Sequence, residues 1–226
     1  MLYIVPTPLG NLRDITLRAL DALKEADFIF CEDTRHTSRL AAHYGLKAQL
    51  VRYNENDISS LSRCTALLKE GKNCALVSDA GTPCISDPGW KLVKAARANG
   101  VKVAALPGAS ALTTAFSGAG LGGGGFSFLG FTSRKQGKIV KTLAAAFALG
   151  KPVIVYESPY RAIKFLEIIR DNFGPDIKVV IARELTKTFE EWLAATVAQA
   201  LENLKSRKKI LGEFVLILDA RQNEEE

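Results

Sequence analysis

Three short polar segments concentrate the groups able to move a proton or hold an anion. They are Glu32, Asp33 and Arg35 in CEDTRHT, Glu157 and Arg161 in YESPYR, and Glu184 and Lys187 in ARELTK. A carboxylate or amine serves as a base near neutral pH only when burial or a neighbouring charge moves its pKa in that direction. A lysine needs desolvation or a second cation beside it. Lys187 and Asp33 are therefore the candidates for polarising a hydroxyl, and Arg35 and Arg161 for holding phosphate. The plainer alternative is an ion-pair network of Glu32, Asp33 and Arg35 with no part in chemistry, since such networks also perturb carboxylates.

A fourth segment, SDAGTPCISDPG from Ser78 to Gly89, packs two glycines and two prolines among small polar residues directly after an apolar run. A loop of this kind fixes backbone N–H and C=O groups at set angles, which suits the grip of a small polar ligand. Equally, it reads as an ordinary strand-to-helix connection with Asp87 capping the next helix. The usual dinucleotide fingerprint is absent: PTPLGN after the first apolar run is not G-x-G-x-x-G, and the run Gly122–Gly125 follows a helical pattern rather than a strand. Cys31, Cys64, Cys74 and Cys84 form no C-x-x-C pair, and with only His36 and His43 beside them no zinc set is indicated.

The elements that must position these segments alternate. Strand patterns lie at Leu2–Val5, Phe28–Cys31, Gln49–Tyr53, Ala75–Ser78 and Val101–Leu106. Between them come a helical stripe of Leu17, Leu20 and Leu23, a helix over Arg39–Tyr44 that Gly45 caps, and a helix carrying Leu92, Val93 and Ala96 that ends near Gly100. Ser110 is placed to cap the next helix. This alternation predicts a mainly parallel sheet covered by helices. Six of the eight residues in Gly118–Gly125 are glycine, which marks a boundary between an N-terminal α/β domain, 1–118, and a C-terminal α/β domain, 119–226. Beyond it, strands at Phe126–Phe131, Pro152–Tyr156, Lys178–Ala182 and Phe214–Leu218 alternate with helices carrying Ile139–Leu143–Ala146 and Ile163–Leu166–Ile169. Glu224–Glu226 are expected to fray. In open α/β sheets, ligands sit beyond the carboxyl ends of strands, which selects the polar segments above together with Pro6–Asn11 and Pro107–Ser110.

Composition narrows the classes. Hydrophobic residues make up 47% of the 226, enough for packed cores. Val103–Ser133 carries no charge and is long enough to span a bilayer, but Pro107 and eight glycines argue for loop, helix and linker instead. The opening MLYIVPTPLG reads as a strand rather than a signal peptide, and the cysteines as reduced thiols, so a cytoplasmic protein is expected. A net charge of +6 suits a polyanionic partner, although solubility alone would also account for it. Two basic stretches could track phosphates: Arg134, Lys135, Lys138 and Lys141, then Lys205, Arg207, Lys208 and Lys209. Phe131 and Tyr160 are aromatic residues that could stack a base.

Taken in order, YIVPTPLGNLRDIT, CEDTRHT, SDAGTPCISDPG, PGASAL, YESPYR, ARELTK and GEFVL resemble the successive motifs of the tetrapyrrole-methylase superfamily, in its branch acting on small-subunit ribosomal RNA. The resemblance runs over nearly the whole chain. It implies a homodimer of two-domain subunits that binds S-adenosylmethionine in the cleft between domains and 2′-O-methylates a cytidine of 16S ribosomal RNA, naked or in the assembled small subunit. By motif position it implies that Leu9, Gly81, Thr82, Ile85, Ser110 and Ala111 hold the cofactor from the first domain, and Tyr156, Ala182 and Glu213 from the second. Arg35, Arg161, Arg134 and Lys135 would face the RNA; neither metal, membrane nor DNA is implied. The sequence departs from the family pattern in the linker Gly122–Gly125 and in FTSRKQG, Phe131–Gly137, both near the implied RNA face. Two other readings remain: a precorrin methyltransferase, and a ribosome-binding module that kept the fold without catalysis.

Overall fold

A computed structural model describes residues 1–122 and 124–221. The tail expected to fray lies outside the described residues, as does Gly123 of the linker. The chain divides into two compact units, Met1–Ser110 and Ala111–Glu226.

The first unit runs β1 (Leu2–Ile4), α1 (Leu17–Glu25), β2 (Phe28–Cys31), α2 (Thr34–Tyr44), β3 (Gln49–Arg52), α3 (Ile58–Lys69), β4 (Cys74–Leu76), α4 (Trp90–Ala98) and β5 (Val103–Ala105). Its sheet has the order β3-β2-β4-β1-β5, and every pairing is parallel. Parallel strands need helical crossovers, so both faces are covered and the strands are apolar on both sides. Leu2, Ile4, Phe30, Cys74 and Leu76 pack with Cys64 and Leu68 of α3 and Leu92 and Ala96 of α4. Val5, Ile29, Cys31, Ala75 and Val77 pack with Ala19, Ala22 and Leu23 of α1.

The expected strands fall at these positions, within two residues at each end. Three details differ. The buried face of α1 is Ala19, Ala22 and Leu23, while Leu17 is 81% exposed at the helix start. The serine-rich α3 had no apolar stripe to announce it; its buried line is Ser60, Cys64 and Leu68, with Asp57 capping. And the N-cap of α4 is Gly89, not Asp87. The Gly89 N–H donates to Glu55 Oε2 at 2.6 Å, so a carboxylate from the loop after β3 caps this helix.

The second unit runs α5 (Ala111–Gly118), β6 (Ser127–Phe131), α6 (Gln136–Phe147), β7 (Val153–Glu157), α7 (Ala162–Phe173), β8 (Lys178–Arg183), β9 (Glu191–Thr196), α8 (Val197–Lys205) and β10 (Phe214–Asp219). Its sheet is mixed, β6-β7-β10-β8-β9, with only β6 and β7 parallel. Helices α6, α7 and α8 cover one face around Leu143, Phe165, Leu166, Leu201 and Leu216. Helix α5 joins this unit because it packs against β10, and its last residue, Gly118, lies so close to the Trp192 ring that a Cβ there would sit 2.6 Å from it. The division therefore falls one helix earlier than the glycine-rich segment.

Strand β9 and helix α8 went unanticipated. They join at Thr196, which ends the strand and opens the helix with a capping box to Gln199. Glu191 fastens β9 to its surroundings. Arg207 donates to both of its oxygens, and Arg183 Nε donates to Oε2 at 2.9 Å. The hydrogen bonds from Arg207, against an opposing effect of burial and with help from Arg183, hold the Glu191 carboxyl down to about 2. A depressed carboxylate contributes stability above its unfolded value, about 4.3, and loses it as pH falls through the folded value. Glu191→Gln is thus expected to flatten the acid limb of the stability curve between those two values, read by urea denaturation across that range. An unchanged acid slope would show that the cluster stores no such stability.

Candidate functional site

Strands β4, β1 and β5 lie side by side, so the loops leaving their carboxyl ends converge. Thr7, after β1, pairs with Gly81, after β4, through two backbone hydrogen bonds of 2.9 Å. The Thr7 hydroxyl donates to Ser78 O, the Ser78 hydroxyl to Gly81 O, and the Thr82 hydroxyl to Ala109 O beyond β5. Leu9, Gly81, Thr82 and Ser110, expected from three motifs, are thereby brought together. Gly81 has φ +79°, and a Cβ on it would point between two of these loops, 3.1 Å from Leu9 Cδ2, 3.7 Å from Ala109 O and 4.0 Å from Ser110 Cα. The turn leaves a cradle that only glycine keeps open. Ile85, further along the loop, is 49% exposed, and Ala111 opens α5.

Next to this turn lies a cavity of about 270 Å³, lined by Thr7, Leu9, Leu12, His36, Arg39 and Asp79 among others. Asp79 Oδ1 is buried and has no hydrogen-bond partner. The sequence marked Asp79 only as part of a polar loop; Glu55, which caps α4 behind that loop, carried no signal because it acts from a different segment.

Asp33 is the N-cap of α2. Its Oδ1 accepts from the Arg35 N–H at 2.8 Å and from Arg35 Nε at 3.1 Å, and its Oδ2 lies 2.8 Å from Arg35 Nη2. These bonds to Arg35 hold the Asp33 carboxyl well below the usual carboxylate range. Asp33 and Arg35 thus form one ion pair of the alternative named above, which had also included Glu32, and Asp33 is a weak proton acceptor.

In the second unit, Lys187 Nζ donates to Glu184 Oε1 and Glu213 Oε2, both at 2.9 Å. Glu184 Oε1 also accepts the Glu213 N–H at 2.9 Å. Burial acts most strongly on Lys187 and would lower its pKa, but the two carboxylates together outweigh it, and the net direction is up. Lys187 therefore keeps its proton. The backbone is strained to build this arrangement: Glu184 and Thr186 have φ of +52° and +64°. At Gly212 (φ +95°) a Cβ would meet Glu184 Cγ at 2.5 Å. Glu213 itself is 80% exposed.

The other second-unit candidates separate. Tyr156 packs edge-on against Phe128 and Phe131, with ring centres 5.0 and 5.6 Å apart. Ala182 is fully buried in mid-sheet, paired to Val215 and Trp192. The Arg161 guanidinium sits 3.2 Å from the buried Glu157 carboxylate and donates to Thr132 O, Thr132 Oγ1 and Ser133 O. Its first duty is to tie the loop after β6 to the end of β7. That loop presents Arg134 and Lys135 to solvent. Arg134, Arg161 and Lys164 border a groove of about 530 Å³ beside the exposed Tyr160. In the second basic stretch, Lys205 pairs with Glu167 and Arg207 with Glu191, leaving Lys208 and Lys209 exposed.

Residues 1–201 match the model of the tetrapyrrole (corrin/porphyrin) methylases. A protein of Hydrogenobaculum sp. (strain Y04AAS1) called ribosomal RNA small subunit methyltransferase I is 44% identical over 219 residues, 96% of this chain and 94% of that one. Its namesake in Escherichia coli O157:H7 is 45% identical over 229 residues, 100% of this chain and 79% of that one. Among solved structures, the methyltransferase CobJ superposes with a TM-score of 0.74 at 20% identity, covering 98% of this chain and 96% of its own. Diphthine synthase superposes with a TM-score of 0.71 at 18% identity, covering 96% and 89%. Likeness at that identity establishes the fold.

Proposed function

The chain belongs to the tetrapyrrole methylase family, and on that premise we propose that it transfers the methyl group of S-adenosylmethionine to the ribose 2′-oxygen of a cytidine in small-subunit ribosomal RNA. The observation that carries the donor site is the Gly81 cradle, where three loops meet around a position whose φ of +79° strains any other residue and where a Cβ would stand 3.1 Å from Leu9. The substrate is supported by relatives at 40–45% identity over nearly the whole chain, which bear the name of a small-subunit ribosomal RNA methyltransferase.

The donor supplies a sulfonium methyl with a good leaving group. The chain supplies binding, alignment and exclusion of water. By motif position, Leu9, Gly81, Thr82, Ile85, Ser110 and Ala111 are contacts of the donor, as are Tyr156, Ala182 and Glu213. A ribose hydroxyl is a poor nucleophile until its proton is drawn away. Lys187, kept cationic by Glu184 and Glu213, donates a hydrogen bond to that oxygen and so favours its ionised form; the hydroxyl proton leaves to solvent water, and the oxygen takes the methyl as the donor departs as a neutral thioether. This role fits Lys187 better than Asp33, whose oxygens already serve Arg35 and the start of α2. Arg134 and Lys135, on the loop that Arg161 secures, neutralise phosphates, and Arg35 adds an exposed charge near the start of α2.

The same reading makes the protein a cytoplasmic homodimer. Among the described residues no helix is long and apolar enough to cross a membrane. The test pairs calorimetry with S-adenosylmethionine and mass mapping of ribose methylation in small-subunit RNA from cells lacking the protein. One missing 2′-O-methylcytidine, restored by the gene, is expected. A full methylation pattern, or turnover of a precorrin instead, would overturn the assignment.

A further inference from the structure

We infer that the cavity beside the Gly81 turn is the pocket for the target base: it takes an extruded cytosine, with Asp79 accepting a hydrogen bond from the exocyclic amine. The inference rests on the reading above and names the part of the substrate that this unit recognises.

The argument starts from hydrogen-bond accounting. Polar groups buried in folded proteins nearly always have partners, so an unpaired one needs a reason. Around this cavity the Thr7 and Ser78 hydroxyls are committed to backbone oxygens of the turn itself. Asp79 lines the cavity, and its Oδ1 is buried without a hydrogen-bond partner among the described residues. It is an acceptor and calls for a donor. The N4 amine distinguishes cytosine from uracil, and a carboxylate is the side-chain group that accepts from it.

Size and walls agree. At about 270 Å³ the cavity lies at the small end of ligand pockets. It suits one nucleobase. Pro8, Leu9, Leu12 and Leu40 supply apolar walls, as pockets for flipped bases require. Exposed His36 and Arg39 also line it, where they can meet the flanking phosphates. Leu9 belongs both to this wall and to the cradle at Gly81, so a base seated here would bring its ribose next to the donor.

The experiment uses the full-length protein and small-subunit RNA carrying either cytidine or uridine at the mapped position. Wild type is expected to favour cytidine by at least about tenfold in kcat/KM. Asp79→Asn is expected to lose most of that preference, because the amide can present a donor instead, while S-adenosylmethionine binds with unchanged affinity in calorimetry. Leu12→Trp, which fills the cavity from its exposed edge, should raise the KM for RNA without weakening the donor. Retention of the cytidine preference by Asp79→Asn, with an unchanged RNA KM in Leu12→Trp, overturns the inference. Loss of donor affinity in Asp79→Asn overturns it in another way, by making the cavity part of the donor site. If wild type methylates neither RNA, the functional reading itself has failed. Should Asp79→Asn not fold, Leu12→Trp and the wild-type preference decide the matter.

Discussion

Lys187→Met is expected to lower the rate of methyl transfer by about 10²–10³-fold, the usual cost of removing one preorganised donor from a developing oxyanion, with little change in affinity for S-adenosylmethionine. Two of the three ammonium protons are spoken for by Glu184 and Glu213, which leaves one for substrate. Those same carboxylates raise the lysine pKa against the pull of burial. The sign of the pH dependence follows. A lysine acting as base would give a rate that climbs with pH through its own pKa. A lysine acting as cation gives a rate that holds and then falls, and here the fall lies above the ordinary lysine range. Lys187→Arg keeps the charge and should retain part of the rate, which separates an electrostatic role from a structural one. Single-turnover assays with saturating donor measure both variants. Normal turnover in Lys187→Met would remove the residue from the chemistry.

Gly81→Val should weaken donor binding by about thirtyfold. A β-branched residue at φ +79° carries a backbone penalty of about 1–3 kcal/mol. Its Cβ would also stand 3.1 Å from Leu9 and occupy the cradle. A loss of about 2 kcal/mol in binding alone corresponds to a roughly thirtyfold weaker Kd. Calorimetry reads the affinity, and thermal unfolding of the same sample shows whether the fold survives. A folded variant that binds the donor normally would move the donor site elsewhere.

Much of the frame was legible in the sequence because parallel strands buried on both faces leave short apolar runs such as FIFC and CAL. Gly45 in the left-handed region and Thr196 with Gln199 are both local signals. Helix α3 was hidden because its buried line is built from Ser60 and Cys64, small residues that do not register as an apolar stripe. The site was legible in part. Motif order placed Leu9, the Gly81–Thr82 pair and Ser110 in three separate loops, and strand adjacency brought them together. What no local pattern could convey is partnership across the chain. Glu55 caps a helix 34 residues away, Glu213 reaches Lys187 over 26 residues, and Asp79 stands out only because nothing bonds to its buried oxygen.

The centre of the second sheet is filled by its last strand. β10 lies between β7 and β8, antiparallel to both, and carries Leu216 and Leu218 into the core. Chains emerge from the ribosome amino end first. A nascent chain that has passed Ser110 holds every strand of the first sheet, whereas one that stops short of Phe214 holds β6–β7 and β8–β9 as two separate ribbons with unpaired edges. Maturation of the half bearing Lys187 thus waits for the synthesis of β10, and Glu213, a partner of that lysine, arrives immediately before the strand that closes the sheet.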